Sequence, residues 1–263
     1  MTRPDSPNAK THWRVAVLGA AVGLLIATVV FAPARWLSGW VQSASQGQVM
    51  LLDSRGTLWS GSAVVKLTGG AGSLDATTLP GRLGWVVSPS LSGATVQLLA
   101  DCCMQQALTA QVNLRWNGVQ LALSDNQSQW PAQLLTGLGT PWNTVQAQGD
   151  LGFSTRALTL VWTAGRLTMS GQAQVDALNL SSHLSTLRPM GSYRFSINGG
   201  ASPTLTLTTL QGSLNLSGNG QWVGGQLRFN GEASADPLHL DALSNLLNII
   251  GRRNGARAII KVG

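Results

Sequence analysis

The sequence predicts a mainly β protein, in which one N-terminal transmembrane helix is followed by a curved, largely antiparallel sheet and a short amphipathic helix near the C-terminus. Three observations support this fold class. An uncharged apolar run occupies residues 15–32, apolar and polar residues then alternate in many short segments, and residues 236–251 carry leucines at helical spacing.

The apolar run "VAVLGAAVGLLIATVVFA" at 15–32 is long enough to cross a bilayer. As a helix it spans roughly 27 Å, close to the ~30 Å hydrocarbon layer. The alternative is a cleaved signal peptide, because Ala32-Pro33-Ala34 is similar to a small-residue cleavage site. The run is longer than the usual apolar region of a signal peptide, which favours a retained anchor. Either way, residues 35–263 are expected outside the cytoplasm.

Charges before the run set its predicted orientation. Arg3, Lys10 and Arg14 precede it against the single acid Asp5, so the positive-inside rule places the N-terminus in the cytoplasm. Tryptophans flank the run where interfacial aromatics are expected, namely Trp13, Trp36 and Trp40. The predicted division is a cytoplasmic tail at 1–14, a transmembrane helix at 15–32 and a periplasmic β-rich domain at 33–263.

Period-2 alternation dominates the rest of the chain and predicts strands with one aliphatic face and one Ser, Thr, Asn or Gln face. The clearest segments are 62–67, 108–116, 119–124, 157–163, 204–209, 213–218 and 226–233. Asn117-Gly118 lies between two of them and predicts a hairpin turn with positive φ at both positions. Other expected reversals or bulges are Ala164-Gly165, Gly224-Gly225 and Asn230-Gly231.

Four tryptophans stand two or three residues before a glycine at the presumed strand ends: Trp59, Trp116, Trp162 and Trp222. One interpretation is structural, with each indole covering the bare backbone of a glycine-rich sheet. The other is functional, with a row of indoles at the rim of the sheet facing the membrane or a partner. Trp59 and Trp222 are therefore the candidate contact residues for a partner or a lipid.

Two helices are predicted after the anchor. The stretch 236–251 begins with Asp236 as N-cap and Pro237 at the first helical position, and it ends at Gly251. Its apolar stripe is Leu240, Leu243, Leu247 and Ile250. The stripe is expected to pack on the sheet, the alternatives being a groove lid or a partner-docking face. A weaker helix starts near Pro131, and residues 256–263 predict a closing strand.

The two cysteines, Cys102 and Cys103, are neighbours in the chain. A disulfide between them would be strained, because adjacent Cα atoms lie about 3.8 Å apart while ordinary disulfides span roughly 4.4–6.8 Å. The alternatives are two small hydrophobic residues or an intermolecular crosslink. A zinc site is not expected, because His183 and His239 are too distant in sequence.

The composition argues against several function classes. The net charge is +7, but the basic residues are scattered and predict no nucleic-acid partner. The sequence has no Gly-x-Ser-x-Gly elbow, no histidine pair at helical spacing, and no lysine after the glycines of "GGAGS" at 69–73. We therefore predict that the protein is not an enzyme and uses neither cofactor nor metal.

Four phrases in this order, behind one anchor, resemble the type II secretion system protein N family, also called general secretion pathway protein N. They are "GTLWSGSA" at 56–63, "LPGRLGWVVSP" at 79–89, "GQWVGGQLRFNGEA" at 220–233 and "LLNIIGRRNGARAIIKVG" at 246–263. The resemblance implies an accessory inner-membrane component that takes part in export of folded proteins from the periplasm across the outer membrane of Gram-negative bacteria. Its implied partners are other inner-membrane components of that system.

The same family is similar to AsmA-like periplasmic proteins, whose curved sheets are associated with lipid handling. This implies an alternative function, a periplasmic module that binds or handles lipid. The two functions differ in what the aliphatic sheet face does, since a protein-contact module would seal it as a core while a lipid module would leave an open groove.

Overall fold

The computed structural model describes residues 9–263, with side chains from residue 13 onward. Residues 1–8 of the predicted cytoplasmic tail lie outside the described part. The helices are α1 (Ala9–Val30), α2 (Ala34–Ala44), α3 (Trp142–Val145) and α4 (Leu240–Ile250), with 3₁₀ segments at Ala132–Leu138 and Pro237–His239.

Within residues 9–263, sixteen strands, numbered in chain order, form one sheet. They are β1 (Val49–Gly56), β2 (Ser60–Thr68), β3 (Ala76–Thr78), β4 (Leu83–Ser90), β5 (Gly93–Ala100), β6 (Leu108–Arg115), β7 (Gly118–Leu123), β8 (Asn126–Pro131), β9 (Gln148–Thr163), β10 (Arg166–Ser181), β11 (Gly191–Gly200), β12 (Thr204–Gly212), β13 (Leu214–Val223), β14 (Gln226–Ala235), β15 (Arg252–Asn254) and β16 (Arg257–Val262).

The sheet is antiparallel throughout and open. Its strand order is β1-β2-β4-β5-β6-β7-β9-β10-β11-β12-β13-β14-β16-β15, with β3 added beside β2 and β8 beside β9. Most neighbours in space are therefore neighbours in sequence. The predicted mainly β class, with one N-terminal apolar helix and a short C-terminal helix, is confirmed, and all seven alternating segments fall within strands apart from their terminal residues.

The predicted turns have mixed outcomes. Ala164-Gly165 and Gly224-Gly225 form two-residue turns in which both residues have positive φ. The predicted reversal or bulge at Asn230-Gly231 is wrong, because both residues lie in regular register inside β14, opposite Asn219 and Gly218. There the glycine serves close packing and not a change of direction.

The hairpin predicted at Asn117-Gly118 exists, but its turn lies one residue earlier. Arg115 pairs with Gly118, which leaves Trp116 and Asn117 as the turn residues, and neither Asn117 nor Gly118 has the expected positive φ. Gly118 is needed for another reason. A Cβ there would lie 2.0 Å from the carbonyl oxygen of Trp162 on β9, so only glycine lets these strands approach.

Helix α4 seals one end of the apolar sheet face. The Asp236 carboxylate accepts a hydrogen bond from the Leu238 amide (3.0 Å), as expected of an N-cap. Leu243, Leu246 and Leu247 are fully buried against the sheet, which confirms that the predicted stripe packs inward. Leu240 and Ile250, the other two stripe residues, are partly buried against the same cluster.

Helix α2 is absent from the sequence-based prediction. Its Ala34 and Leu37 pack against Ala63 and Trp85 at the β1 end of the sheet, whereas Trp36 and Trp40 are exposed. The helix was missed because its short apolar stripe follows directly on the long apolar run. α1 itself extends over Ala9–Val30, and the segment Trp13–Val30 is long and apolar enough to cross a membrane, with none of it covered by the rest of the protein.

Aromatic rings fill the glycine-rich part of the core. The Phe229 ring is buried, and it lies 2.3 Å from where a Cβ on Gly218 would be, 3.0 Å from one on Gly220 and 2.8 Å from one on Gly231. Tyr193 is also buried, and its hydroxyl donates to the Leu214 carbonyl (3.1 Å). Burial raises the pKa of this hydroxyl, so it stays protonated.

Candidate interaction surfaces

One edge of the sheet collects the tight turns, and we call it the hairpin edge. It comprises the turns and adjoining strand ends at 54–61, 88–95, 113–120, 161–168, 198–206 and 221–228. Cross-strand pairs hold these segments on the same edge. They are Ser60–Val86, Gly93–Asn113, Gly118–Thr163 and Thr204–Gln221.

Trp59 joins the hairpin edge to α1. Its indole Nε1 donates a hydrogen bond to the Val29 carbonyl (2.8 Å), and the neighbouring Leu58 amide donates to the Ala32 carbonyl (2.8 Å). A β-bridge between Pro33 and Thr57 adds a third contact. The end of the long apolar helix is thus fixed to the β1/β2 turn.

Trp222 lies on the same edge, at the end of β13 opposite Leu227 on β14, and is half-buried. Trp116 is fully exposed in the β6/β7 turn, and Trp162 is more than half exposed at the end of β9. The structure therefore brings all four predicted tryptophans to one rim of the sheet. Which molecule they contact stays a prediction.

Of the glycines that these tryptophans were expected to cover, Gly61 is covered by a different ring, since a Cβ there would lie 2.6 Å from the buried indole of Trp85. Gly118 lies against the Trp162 backbone, and a Cβ on Gly165, Gly224 or Gly225 would meet no atom within 4 Å, so the expected covering is wrong at these positions. Phe229 covers Gly218 and Gly220, which precede Trp222 on β13. Trp85 is fixed by its Nε1, which donates to the carbonyls of Thr57 (3.2 Å) and Leu58 (3.1 Å). Sequence reasoning missed Trp85 and Phe229 because a covering ring sits across the strand pair and not beside its glycine in sequence.

An apolar cavity of about 510 Å³ lies on the aliphatic face between β2, β4–β6 and β8–β9. Its lining is almost entirely hydrocarbon and includes Leu67, Leu98, Leu108, Trp130, Leu135 and Phe153. Phe153 is 41% exposed, so the aliphatic face is not sealed here. No signal in the sequence locates this cavity, because its walls come from six separate strands.

Cys102 and Cys103 are bonded to each other in the β5/β6 connection, on the edge opposite the hairpin edge. They border a polar cleft of about 650 Å³ that also contains Asp176 and Arg194. The Arg194 guanidinium donates two hydrogen bonds of 2.8 Å to the Asp176 carboxylate, which lowers the pKa of Asp176 and raises that of Arg194.

A second ion-pair group ties β1 to β4. Arg82 donates to the Asp53 carboxylate (2.8 Å) and to the Asp53 carbonyl (2.6 Å), and Arg55 donates to the same carboxylate (2.8 Å). Hydrogen bonds from Arg82 and then Arg55 lower the pKa of Asp53. Within residues 13–263, no group of three or more His, Cys, Asp or Glu side chains is arranged to hold a metal ion.

These features define a mainly β protein with an open antiparallel sheet and an N-terminal helix that is long and apolar enough to span a membrane. The family model for type II secretion system (T2SS) protein N matches residues 47–260, which is most of the chain. The chain belongs to the type II secretion system protein N family, and the resemblance found in the sequence is confirmed. Searches of curated proteins and of solved structures found no match.

Proposed function

We propose that this chain is an accessory inner-membrane component of the type II secretion system, taking part through protein contacts in the export of folded proteins across the outer membrane. The observation that carries the proposal is the family match over residues 47–260. α1 supports the membrane location, since its segment Trp13–Val30 is apolar enough to span a bilayer. The proposed division is 1–14 in the cytoplasm, 15–32 in the membrane and 33–263 in the periplasm.

The open ends of the sheet offer a mode of contact with those components. β15 is three residues long and pairs only with residues 257–259 of β16, so no strand of the described chain lies beside Ile260–Val262 on the outer side of β16. An edge with unused backbone groups can accept a strand from a partner. The half-buried Trp59 and Trp222 are proposed as further contact residues, because both lie on the hairpin edge.

Affinity purification of the full chain from secreting cells tests the proposal. We expect other inner-membrane components of the system to co-purify, and deletion of the gene should lower the amount of secreted substrate. A photoreactive amino acid at position 59 or 222 should crosslink to one of those components, whereas one at the exposed Leu238 on the opposite edge is the matched control. Recovery of none of these components would overturn the proposal.

The apolar cavity favours lipid binding as a second candidate function. A volume of about 510 Å³ with a nearly pure hydrocarbon lining suits an acyl chain and offers few hydrogen bonds to a polar ligand. Organic extraction and mass spectrometry of the purified full chain should then find bound lipid. Leu108→Phe, which fills part of the cavity, should reduce the amount of bound lipid, and Leu238→Phe on the exposed surface should leave that amount unchanged. A parent protein that contains no lipid rejects this function.

A further inference from the structure

Basic residues outnumber acidic residues along the hairpin edge. The edge and the adjoining end of β16 carry Arg55, Arg115, Arg166, Arg228 and Lys261, and Asp53 beside this edge is paired with Arg55 and Arg82. The opposite edge is mixed, with acidic residues that include Asp75, Asp101, Asp150, Asp236 and Asp241 and basic residues that include Arg82, Arg188 and Arg257. The hairpin edge thus has a positive potential that attracts anions.

The tips of two hairpins also expose large apolar side chains. Leu91 in the β4/β5 turn and Trp116 in the β6/β7 turn are fully exposed. A row of further apolar residues crosses four strands in register just behind the tips: Leu114, Val119, Trp162 and Leu167. Such a continuous patch is unusual for a surface that faces only water.

The attachment of α1 fixes which way this edge faces. The last turn of α1 is hydrogen-bonded to the β1/β2 turn through Trp59 and Leu58, so a bilayer around α1 lies on the hairpin-edge side of the sheet. Ser60 pairs with Val86, and β4 continues for four more residues before its turn. At about 3.3 Å per residue, the end of β4 projects roughly 13 Å beyond the level of Ser60 at the start of β2.

We propose that the tips of the β4/β5, β6/β7 and β9/β10 hairpins rest on the anionic phospholipid bilayer that holds α1, with Leu91, Trp116 and Trp162 in the interfacial layer and Arg115 and Arg166 on lipid phosphates. Tryptophan favours the headgroup layer, and arginine binds phosphate in a bidentate manner. The inference rests on the proposed membrane location. It makes the sheet stand upright on the bilayer, with the edge that carries Cys102 and Cys103 farthest from the lipid.

A spin label tests this contact in the full chain. Cys102 and Cys103 are replaced by serine, and a nitroxide is attached through W116C or, as a control, through L238C. The protein is placed in lipid nanodiscs containing phosphatidylglycerol or phosphatidylcholine only. In the anionic discs, we expect a water-soluble nickel chelate to collide with the label at position 116 severalfold less often than with the label at position 238. Replacing Arg115 and Arg166 by glutamine should remove much of that protection.

Equal nickel accessibility at positions 116 and 238 in anionic discs would overturn the inference. So would a photoreactive residue at position 116 that crosslinks in cells to a protein and not to lipid. A periplasmic reporter fused after residue 263 tests the location separately. If that reporter is active while position 116 is water-exposed, only the membrane contact fails and the proposed function stands.

Discussion

Replacing Phe229 by alanine should be among the most damaging changes to the sheet, because one ring fills the space above three glycines. The ring is 7% exposed, and it lies within 3.0 Å of the Cβ position on Gly218, Gly220 and Gly231. No side chain at these positions can close the space that the ring would leave. We therefore expect Phe229→Ala to lower the free energy of unfolding by about 3–5 kcal/mol.

A second substitution, Gly218→Ala, should change the free energy of unfolding by an amount that depends on whether the Phe229 ring is present. In the parent, Gly218→Ala places a methyl group 2.3 Å from the ring tip and should cost about 1–3 kcal/mol by overpacking. In the Phe229→Ala background the ring is gone, so its share of the cost should disappear, while the contact of the methyl with the Gly231 Cα (2.9 Å) keeps a smaller cost. The two sites should therefore be coupled, and Gly218→Ala should cost less without the ring by about 0.5–2 kcal/mol.

Chemical denaturation of the full chain, followed by circular dichroism of the β signal, measures these differences. Leu238→Ala is the control, because Leu238 is 89% exposed and its loss should change the free energy of unfolding by less than about 0.5 kcal/mol. Equal costs of Gly218→Ala with and without the ring, or a cost of Phe229→Ala no larger than that of Leu238→Ala, would show that the ring does not support the three glycines.

Three further predictions concern α4, an ion pair and the cysteines. Leu247→Ala should cost about 2–5 kcal/mol in the same denaturation assay, because Leu247 is fully buried under the sheet. Asp176→Asn should lower the free energy of unfolding by about 1 kcal/mol at neutral pH and by nothing in strong acid. The pKa of Asp176 lies below its ordinary value of 3.8, so the stability that the ion pair contributes is present above pH 3.8 and is lost as the pH falls through the folded-state pKa. Denaturation midpoints measured over a pH series check this. Reducing the Cys102–Cys103 bond should change the free energy of unfolding by less than about 1 kcal/mol, because a bond between adjacent residues closes almost no loop. Thiol alkylation with and without reductant, read by mass spectrometry, shows whether the bond exists.

The strand segments could be predicted because alternation is a local property of the sequence. Ala164-Gly165 and Gly224-Gly225 were correct as turns for the same reason, since both residues of each pair take the positive φ that the turn requires. Asn230-Gly231 carries an equally strong local signal, yet it lies inside β14. The glycine there is selected by the Phe229 ring, which a local pattern does not reveal.

The candidate surfaces were predictable only in part. Trp59 and Trp222 stand near strand ends in the sequence, so their position at the rim followed once the hairpins paired. The contact of Trp59 with Val29 spans thirty residues and joins two elements whose packing no periodicity describes. The apolar cavity was beyond prediction for a similar reason, because its volume depends on how six strands and a 3₁₀ segment fail to fill the space between them.

The strand order has a consequence for how the chain acquires its structure. From β4 to β14 almost every strand pairs with the one made just before it, so few contacts must wait for distant residues. A chain delivered N-terminus first can add one hairpin at a time, each new strand docking on the edge left open by its predecessor. Assembly would then finish when β16 pairs with β14 and α4 packs over these strands, and a chain stalled before residue 240 would present the unpaired edge of β14 to proteases and chaperones.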